Sequence, residues 1–154
     1  MRKIAIVTGG AGFIGSHMVD LLVGEGFKVR VIDNLVGGRL ENLSHHNANP
    51  DVVIEERDIR GFDARDSLFS NVELVFHFAG IGDIVPSIEQ PIDYMATNVM
   101  GTVNMLECAR HASIKRFVYA ASSSCYGMAK VPTTETHTIE PKYPYALSKA
   151  RGSA

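Results

Sequence analysis

One eleven-residue stretch restricts the fold more than any other: VTGGAGFIGSH, residues 7–17. Before it, KIAIVTG (residues 3–9) is short, β-branched and closed by glycine, which predicts a buried strand. After it, Phe13, Ile14, Met18, Leu21 and Leu22 recur at helical spacing until Gly24 and Gly26 end the run. The glycines therefore join a strand to an amphipathic helix. Gly10-x-Gly12-x-x-Gly15 and Gly9-x-x-Gly12-x-x-Gly15 are both present. Such glycines permit a tight turn and a close backbone approach to a pyrophosphate. The N–H groups opening the helix then face the negative charge.

A second strand, KVRVID (residues 28–33), ends on Asp33, about twenty residues past the glycines. A carboxylate there accepts both hydroxyls of a ribose. A 2′-phosphate would meet like charge, so NAD is expected rather than NADP. Arg39 is the one nearby residue that argues otherwise. Three more apolar runs read as strands: residues 51–56, 72–80 and 115–123. Between the last two, Ile88, Ile92, Met95, Val99, Val103 and Leu106 mark one face of a long helix, expected over residues 86–110. Strands alternating with helices imply parallel pairing with helices on both faces. Right-handed crossovers reduce the options to an α/β, Rossmann-type doubly wound parallel sheet that binds ligands beyond its strand ends.

Bulk properties exclude other classes. The 154 residues are 45% apolar and 21% charged, with a net charge of −2. Without a basic stripe or block, no nucleic-acid partner is expected. No window approaches the ~20 apolar residues of a membrane helix, so no membrane partner is expected either. Cys108 and Cys125 do not form a disulfide framework, which points to a reduced, cytoplasmic protein.

Near the end of the chain, Tyr145 and Lys149 stand four apart and share one helix face, with Pro144 suited to its first turn. A free tyrosine titrates near ~10. A neighbouring ammonium and a cationic nicotinamide both favour the phenolate, the form that accepts protons.

TGGAGFIGSH, VIDNL, RDIR, HFAG, NVMGT, SSSCYG and YALSK occur in this order along nearly the whole chain. Together they resemble the extended short-chain dehydrogenase/reductase family, in its sugar-nucleotide epimerase and dehydratase branch. The resemblance implies roles by position. Gly9, Gly12, Phe13, Ile14 and Gly15 line the pyrophosphate, and Asp33 and Asn34 hold the adenosine ribose. Asp58 and Ile59 flank the adenine, with Asp58 accepting from its amino group. Phe78, Ala79 and Gly80 form a cofactor-side wall, and Asn98 steadies the nicotinamide half. Read without the resemblance, Asp58 is a solvated loop residue and Asn98 a helix-surface one. Tyr145 and Lys149 take the catalytic positions, and Lys149 also reaches the nicotinamide ribose. Ser122, four before Tyr126, completes the set by bridging substrate oxygen and tyrosine.

The same register bears on the reaction. Dehydratases of this branch carry an Asp-Glu pair, and decarboxylases a Glu, where this chain has Ser123 and Ser124. That leaves oxidation and re-reduction at one carbon of a nucleotide sugar: epimerisation of the UDP-glucose/UDP-galactose type. Galactose epimerases have a lysine shortly after the HFAG-type stretch; here Ile81 and Gly82 follow. Residues 1–154 are expected to form a partial NAD-binding Rossmann domain, missing its last strands and a substrate-binding subdomain. Such a module would bind NAD weakly and turn over little. The family also implies a homodimer through the long helix.

Other signals read as packing or solvent chemistry. His45 and His46 lie in a polar loop with no third ligand at metal-binding spacing. The two cysteines read as buried fillers, and Met95, Met100 and Met105 as packing.

Overall fold

Five strands form the sheet: β1 (Ile4–Thr8), β2 (Lys28–Asp33), β3 (Val52–Glu56), β4 (Val72–His77) and β5 (Arg116–Tyr119). Their order is β3-β2-β1-β4-β5, every pair parallel. The computed structural model describes residues 2–152. β1 is central because its residues have no polar face to offer water. Ala5 and Val7 point into one core layer with Val19 and Leu22 of helix α1 (Phe13–Gly24). Ile6 points into the other, with Val75, Met105 and Cys108. This is the two-residue alternation of a strand covered on both sides. The chain leaves β1 toward β2 and β3 on one side and returns to β4 and β5 on the other. The switch point therefore lies between β1 and β4, and a crevice opens beyond their carboxyl ends. No helix among the described residues is long and apolar enough to cross a membrane.

The expected helix over residues 86–110 is divided. α2 (Val85–Glu89) ends at Gln90, and α3 (Pro91–Met95) begins at once. Gln90 has φ −128° and ψ 53°, outside the helical region. Pro91 is the cause, since its ring excludes the preceding residue from helical geometry. A π-helical stretch, Ala96–Gly101, then leads into α4 (Thr102–His111). The expected apolar face lies outside the core: Ile92 is 80% exposed, and Ile88, Val103 and Leu106 are exposed too. The face that packs inward carries Tyr94, Asn98, Thr102, Met105 and Cys108. Met100 is exposed rather than packed. Residues 40–46 are not an open loop but a 3₁₀ helix anchored by the fully buried Leu43.

A buried polar chain crosses the sheet end. Thr102 Oγ1 donates to the Asn98 carbonyl at 2.7 Å, so it accepts from His77 Nε2 at 3.0 Å. The proton of His77 thus sits on Nε2, and Nδ1 accepts from Thr8 Oγ1 at 2.7 Å. Thr8 Oγ1 in turn accepts from the Ala79 N–H at 3.2 Å. One neutral tautomer satisfies every member. Burial, helped by the charge of Lys149, drives the His77 pKa down to about 3.

Two measurements check this packing. A Cβ at Gly15 would run into the Gly9 carbonyl oxygen and stand 2.7 Å from Gly10 Cα, all backbone. At Gly24, in the last turn of α1, it would meet nothing within 4 Å. In urea unfolding, Gly15→Ala should lose about 2 kcal/mol or more, whereas Gly24→Ala should gain up to about 1 kcal/mol. For His77, the folded pKa lies below the unfolded one. Its contribution is therefore fully present above pH ~6.5 and lost as pH falls toward 3. His77→Gln keeps an acceptor and a donor but cannot titrate. Its unfolding free energy should fall less over that window than that of the unmutated chain; parallel pH profiles would refute the assignment.

Candidate functional site

A cleft of about 590 Å³ occupies the crevice predicted by the switch point. Its walls include Gly9, Gly12, Asp33, Arg60, Gly80 and Tyr94. The glycine turn forms one side. Gly9 has φ +67° and donates to the Ile32 carbonyl at 2.8 Å. A Cβ there would stand 2.7 Å from the Ala79 nitrogen, so only glycine lets the β1 and β4 exits close together. Gly12 caps α1 without a side-chain hydrogen bond, and no acidic residue lies in the first turn. The opening N–H groups of α1 therefore meet neither an internal cap nor an internal anion. Phe13 and Ile14 turn their side chains to solvent and offer this corner only backbone. These features fit a bound diphosphate: bare backbone, an uncapped twelve-residue helix and an adjoining cleft.

Asp33 stands at the next corner, buried. Its Oδ2 accepts from the Ala11 N–H at 3.0 Å and its Oδ1 from the Leu35 N–H at 2.9 Å. A Cβ on Gly38 would lie 2.7 Å from Oδ1, so Gly38 is what allows the loop to pass over the carboxylate. Two backbone donors leave accepting capacity on both oxygens. Asn34 donates from Nδ2 to Asp58 Oδ2 at 3.0 Å. Asp58 also accepts from the Arg60 backbone N–H and Nε, both at 2.9 Å, and from its NH2 at 2.7 Å. The Arg60 side chain does most to hold the Asp58 carboxyl down at about 2. Arg60 and Ile59 belong to the cleft wall, and Asp58 acts on it through Arg60.

Beyond β4, Phe78, Ala79 and Gly80 line the opposite wall. Asn98 is 1% exposed, not a helix-surface residue. Its Oδ1 accepts from the Ile81 N–H at 2.8 Å, and its Nδ2 donates to the Ile81 carbonyl and to Ser148 Oγ, both at 2.9 Å. Ser148 Oγ donates to the Tyr145 carbonyl at 2.7 Å. One amide thus fastens the wall after β4 to helix α5 (Pro144–Gly152), which carries Tyr145 and Lys149.

Tyr145 faces the Tyr94 ring edge-on, centroids 6.3 Å apart, and Tyr94 lines the cleft. Lys149 is 8% exposed, its ammonium 4.4 Å from the centre of the Tyr119 ring, which stacks on His77. Burial lowers the Lys149 pKa to about 8, while burial raises the Tyr119 phenol to about 12. A buried lysine with its pKa lowered in this way is the kind of perturbed group that clusters at functional sites. Ser122 caps the 3₁₀ turn Ser123–Tyr126, accepting from the Ser124 N–H at 3.2 Å, and its O–H remains a donor. This turn packs on α5, so the three expected catalytic residues come from adjoining elements next to the Tyr94 end of the cleft.

Sequence reasoning missed Arg60, Gly38 and Tyr94 on the wall, and Thr8, His77, Thr102 and Ser148 behind it. The HFAG motif contained His77, but nothing in the spacing showed two threonines converging on it.

Comparisons with known proteins agree with this geometry. A family model described as GDP-mannose 4,6 dehydratase matches residues 6–154. A curated relative named "Putative UDP-glucose 4-epimerase", from Methanocaldococcus jannaschii, is 40% identical over 96% of this chain and 48% of its own. A UDP-N-acetylglucosamine 4-epimerase structure from Methanobrevibacter ruminantium superimposes with TM-score 0.92 at 33% identity, covering 98% of this chain and 48% of that one. The dTDP-glucose 4,6-dehydratase DesIV of Streptomyces venezuelae, solved with NAD and TYD bound, gives 0.87 at 35% identity, over 97% and 49%. The chain spans about half the length of the curated relatives it matches. It belongs to the GDP-mannose 4,6-dehydratase-like family of extended short-chain dehydrogenases/reductases, whose members include nucleotide-sugar 4-epimerases and dehydratases.

Proposed function

We propose that residues 1–154 are the NAD-binding domain of an enzyme that epimerises a nucleotide sugar of the UDP-glucose/UDP-galactose type at C4. The observation that carries this reading is the tie from Ile81 through Asn98 and Ser148 to the Tyr145 backbone. It sets a tyrosine–lysine helix against the far end of a cleft whose near end fits a diphosphate and a ribose. When bound, NAD supplies a hydride acceptor that can also return the hydride. The protein's own groups do the rest. The helix N-terminus and the glycine turn take the diphosphate, and Asp33 accepts from the ribose. Tyr145 takes the proton of the sugar hydroxyl and gives it back, with Ser122 bridging and Lys149 supplying positive charge. Ser123 and Ser124 bring hydroxyls, not carboxylates, to the adjoining turn, which favours epimerisation over elimination. Grip on the nucleotide sugar comes, in this reading, from sequence beyond this domain. The two buried free cysteines suit a reducing compartment, and we place the enzyme in the cytoplasm.

The test measures NAD binding by calorimetry and UDP-glucose/UDP-galactose interconversion by the longer polypeptide containing this domain. Asp33→Ala should weaken NAD binding about 10- to 100-fold, as expected for hydrogen bonds to a charged group. It should also narrow the preference for NAD over NADP. Tyr145→Phe should leave NAD binding intact and cut interconversion by about 10²–10⁴. NADP binding as tight as NAD, or full turnover by Tyr145→Phe, would defeat the reading.

We further propose that Ile88, Ile92, Val103 and Leu106 form the contact of a homodimer. All four are exposed apolar side chains on α2, α3 and α4, which a dimer contact would cover. Sedimentation should show a dimer at micromolar concentration that Val103→Glu converts to monomer. A wild-type monomer would count against it.

A further inference from the structure

Away from the cleft, three metal-ligating side chains from two distant parts of the sequence meet at one point. His45 Nε2 lies 2.7 Å and His46 Nε2 2.8 Å from the same oxygen, Oδ1 of Asp20. The candidate ligand atoms all lie within 4.8 Å of one another. Asp20 sits on α1, and the histidines end the 3₁₀ helix Leu40–His46. Consecutive residues of a 3₁₀ helix diverge by about a third of a turn. These two rings nevertheless converge, their centroids 4.2 Å apart. Leu43, buried beneath, holds the 3₁₀ helix in the same core layer as Val19 and Leu22 of α1. The His46 side chain is 9% exposed, whereas Asp20 and His45 face solvent more openly.

We propose that Asp20, His45 and His46 form a binding site for a divalent transition-metal ion of the Zn²⁺ type. Two imidazoles and one carboxylate are a common ligand set for Zn²⁺. At metal–ligand distances of about 2.0–2.2 Å, tetrahedral ligand atoms stand roughly 3.3 Å apart. The two histidine nitrogens now stand 2.7 and 2.8 Å from the Asp20 oxygen, and a bound ion would spread them to that spacing. The exposed side of Asp20 and His45 leaves the fourth position to water. Bound metal would pin α1 to the 3₁₀ helix, whose Asn42 side chain and preceding Arg39 N–H both bond the Ala11 carbonyl in the glycine turn.

Asn49 makes the proposal specific. Its Oδ1 accepts from the Asp51 N–H at 3.0 Å, which leaves its Nδ2 facing His46 Nδ1 at 3.4 Å. Without metal, His46 therefore carries its proton on Nε2 and donates to Asp20. Metal takes the Nε2 lone pair, and the proton moves to Nδ1, where it meets the Asn49 amide donor. Asn49→Asp retains an acceptor for the Asp51 N–H and puts a carboxylate oxygen opposite Nδ1. That is the outer-shell arrangement that strengthens a histidine ligand.

The experiment is calorimetric titration of the purified chain with ZnCl₂, with Co²⁺ absorption as a check on coordination. One Zn²⁺ should bind per chain and raise the unfolding temperature. Asp20→Ala and His46→Ala should each weaken binding at least 10-fold, and Asn49→Asp should tighten it about 10-fold. Absence of saturable binding at one equivalent, or unchanged binding in His46→Ala, would reduce the cluster to a hydrogen-bonded triad and overturn the proposal. Loss in His46→Ala without a gain in Asn49→Asp would attribute the loss to a disturbed fold, and would overturn it equally. None of these readouts depends on nucleotide or sugar chemistry.

Discussion

Everything at the site depends on how closely the backbone of the β1–α1 turn can approach its surroundings. Gly9 touches the backbone leaving β4, and Gly15 leaves no space between the first turn of α1 and the strand exit. A single methyl group at either position would push these elements apart. Their closeness aims the N-terminus of α1 into the crevice. It also puts Ala11 N–H within reach of Asp33, so the glycine turn and the acidic end of β2 are held together. The helix dipole and the orphan N–H groups are useful only because no side chain stands in front of them.

The second constraint is a set of buried polar groups that must satisfy one another. Thr8, His77, Thr102 and Asn98 form a chain with one consistent direction of donation, from the Ala79 amide to the π-helical turn. Asn98 then extends it to Ser148 and α5. A buried donor left unpaired costs about 1–3 kcal/mol, so each link resists displacement. The result is a rigid connection from the central strand to the helix bearing Tyr145 and Lys149. His77 remains neutral throughout, and Lys149 is buried enough to lose much of its usual preference for the charged form.

Several features were legible because they are local. The β2 run spans the residues its β-branched pattern marks, and α1 ends where its glycines begin. The helix over residues 86–110 was less legible, because its apolar spacing continues smoothly across Gln90 and Pro91. The strip Ile88, Ile92, Val103, Leu106 is helical in period, yet the core takes the face of Tyr94, Asn98 and Thr102. Periodicity reports that a face exists, not which face the sheet covers. Asp58 shows the same limit: RDIR identified the position, but only the fold shows Arg60 occupying its oxygens.

By itself the sequence determined the strand order of events along the chain, the glycine turn, the acidic end of β2 and the tyrosine–lysine pair. Each is written in neighbouring residues, where backbone geometry and side-chain period act directly. Tertiary structure alone decided which groups separated by 17 to 69 positions would meet: Thr8 with His77, Asn98 with Ile81 and Ser148, Asp20 with the two histidines. Those meetings follow from sheet order and from which helix face the core accepts. No local pattern encodes them, because they arise from burial and hydrogen-bond satisfaction summed over the whole domain.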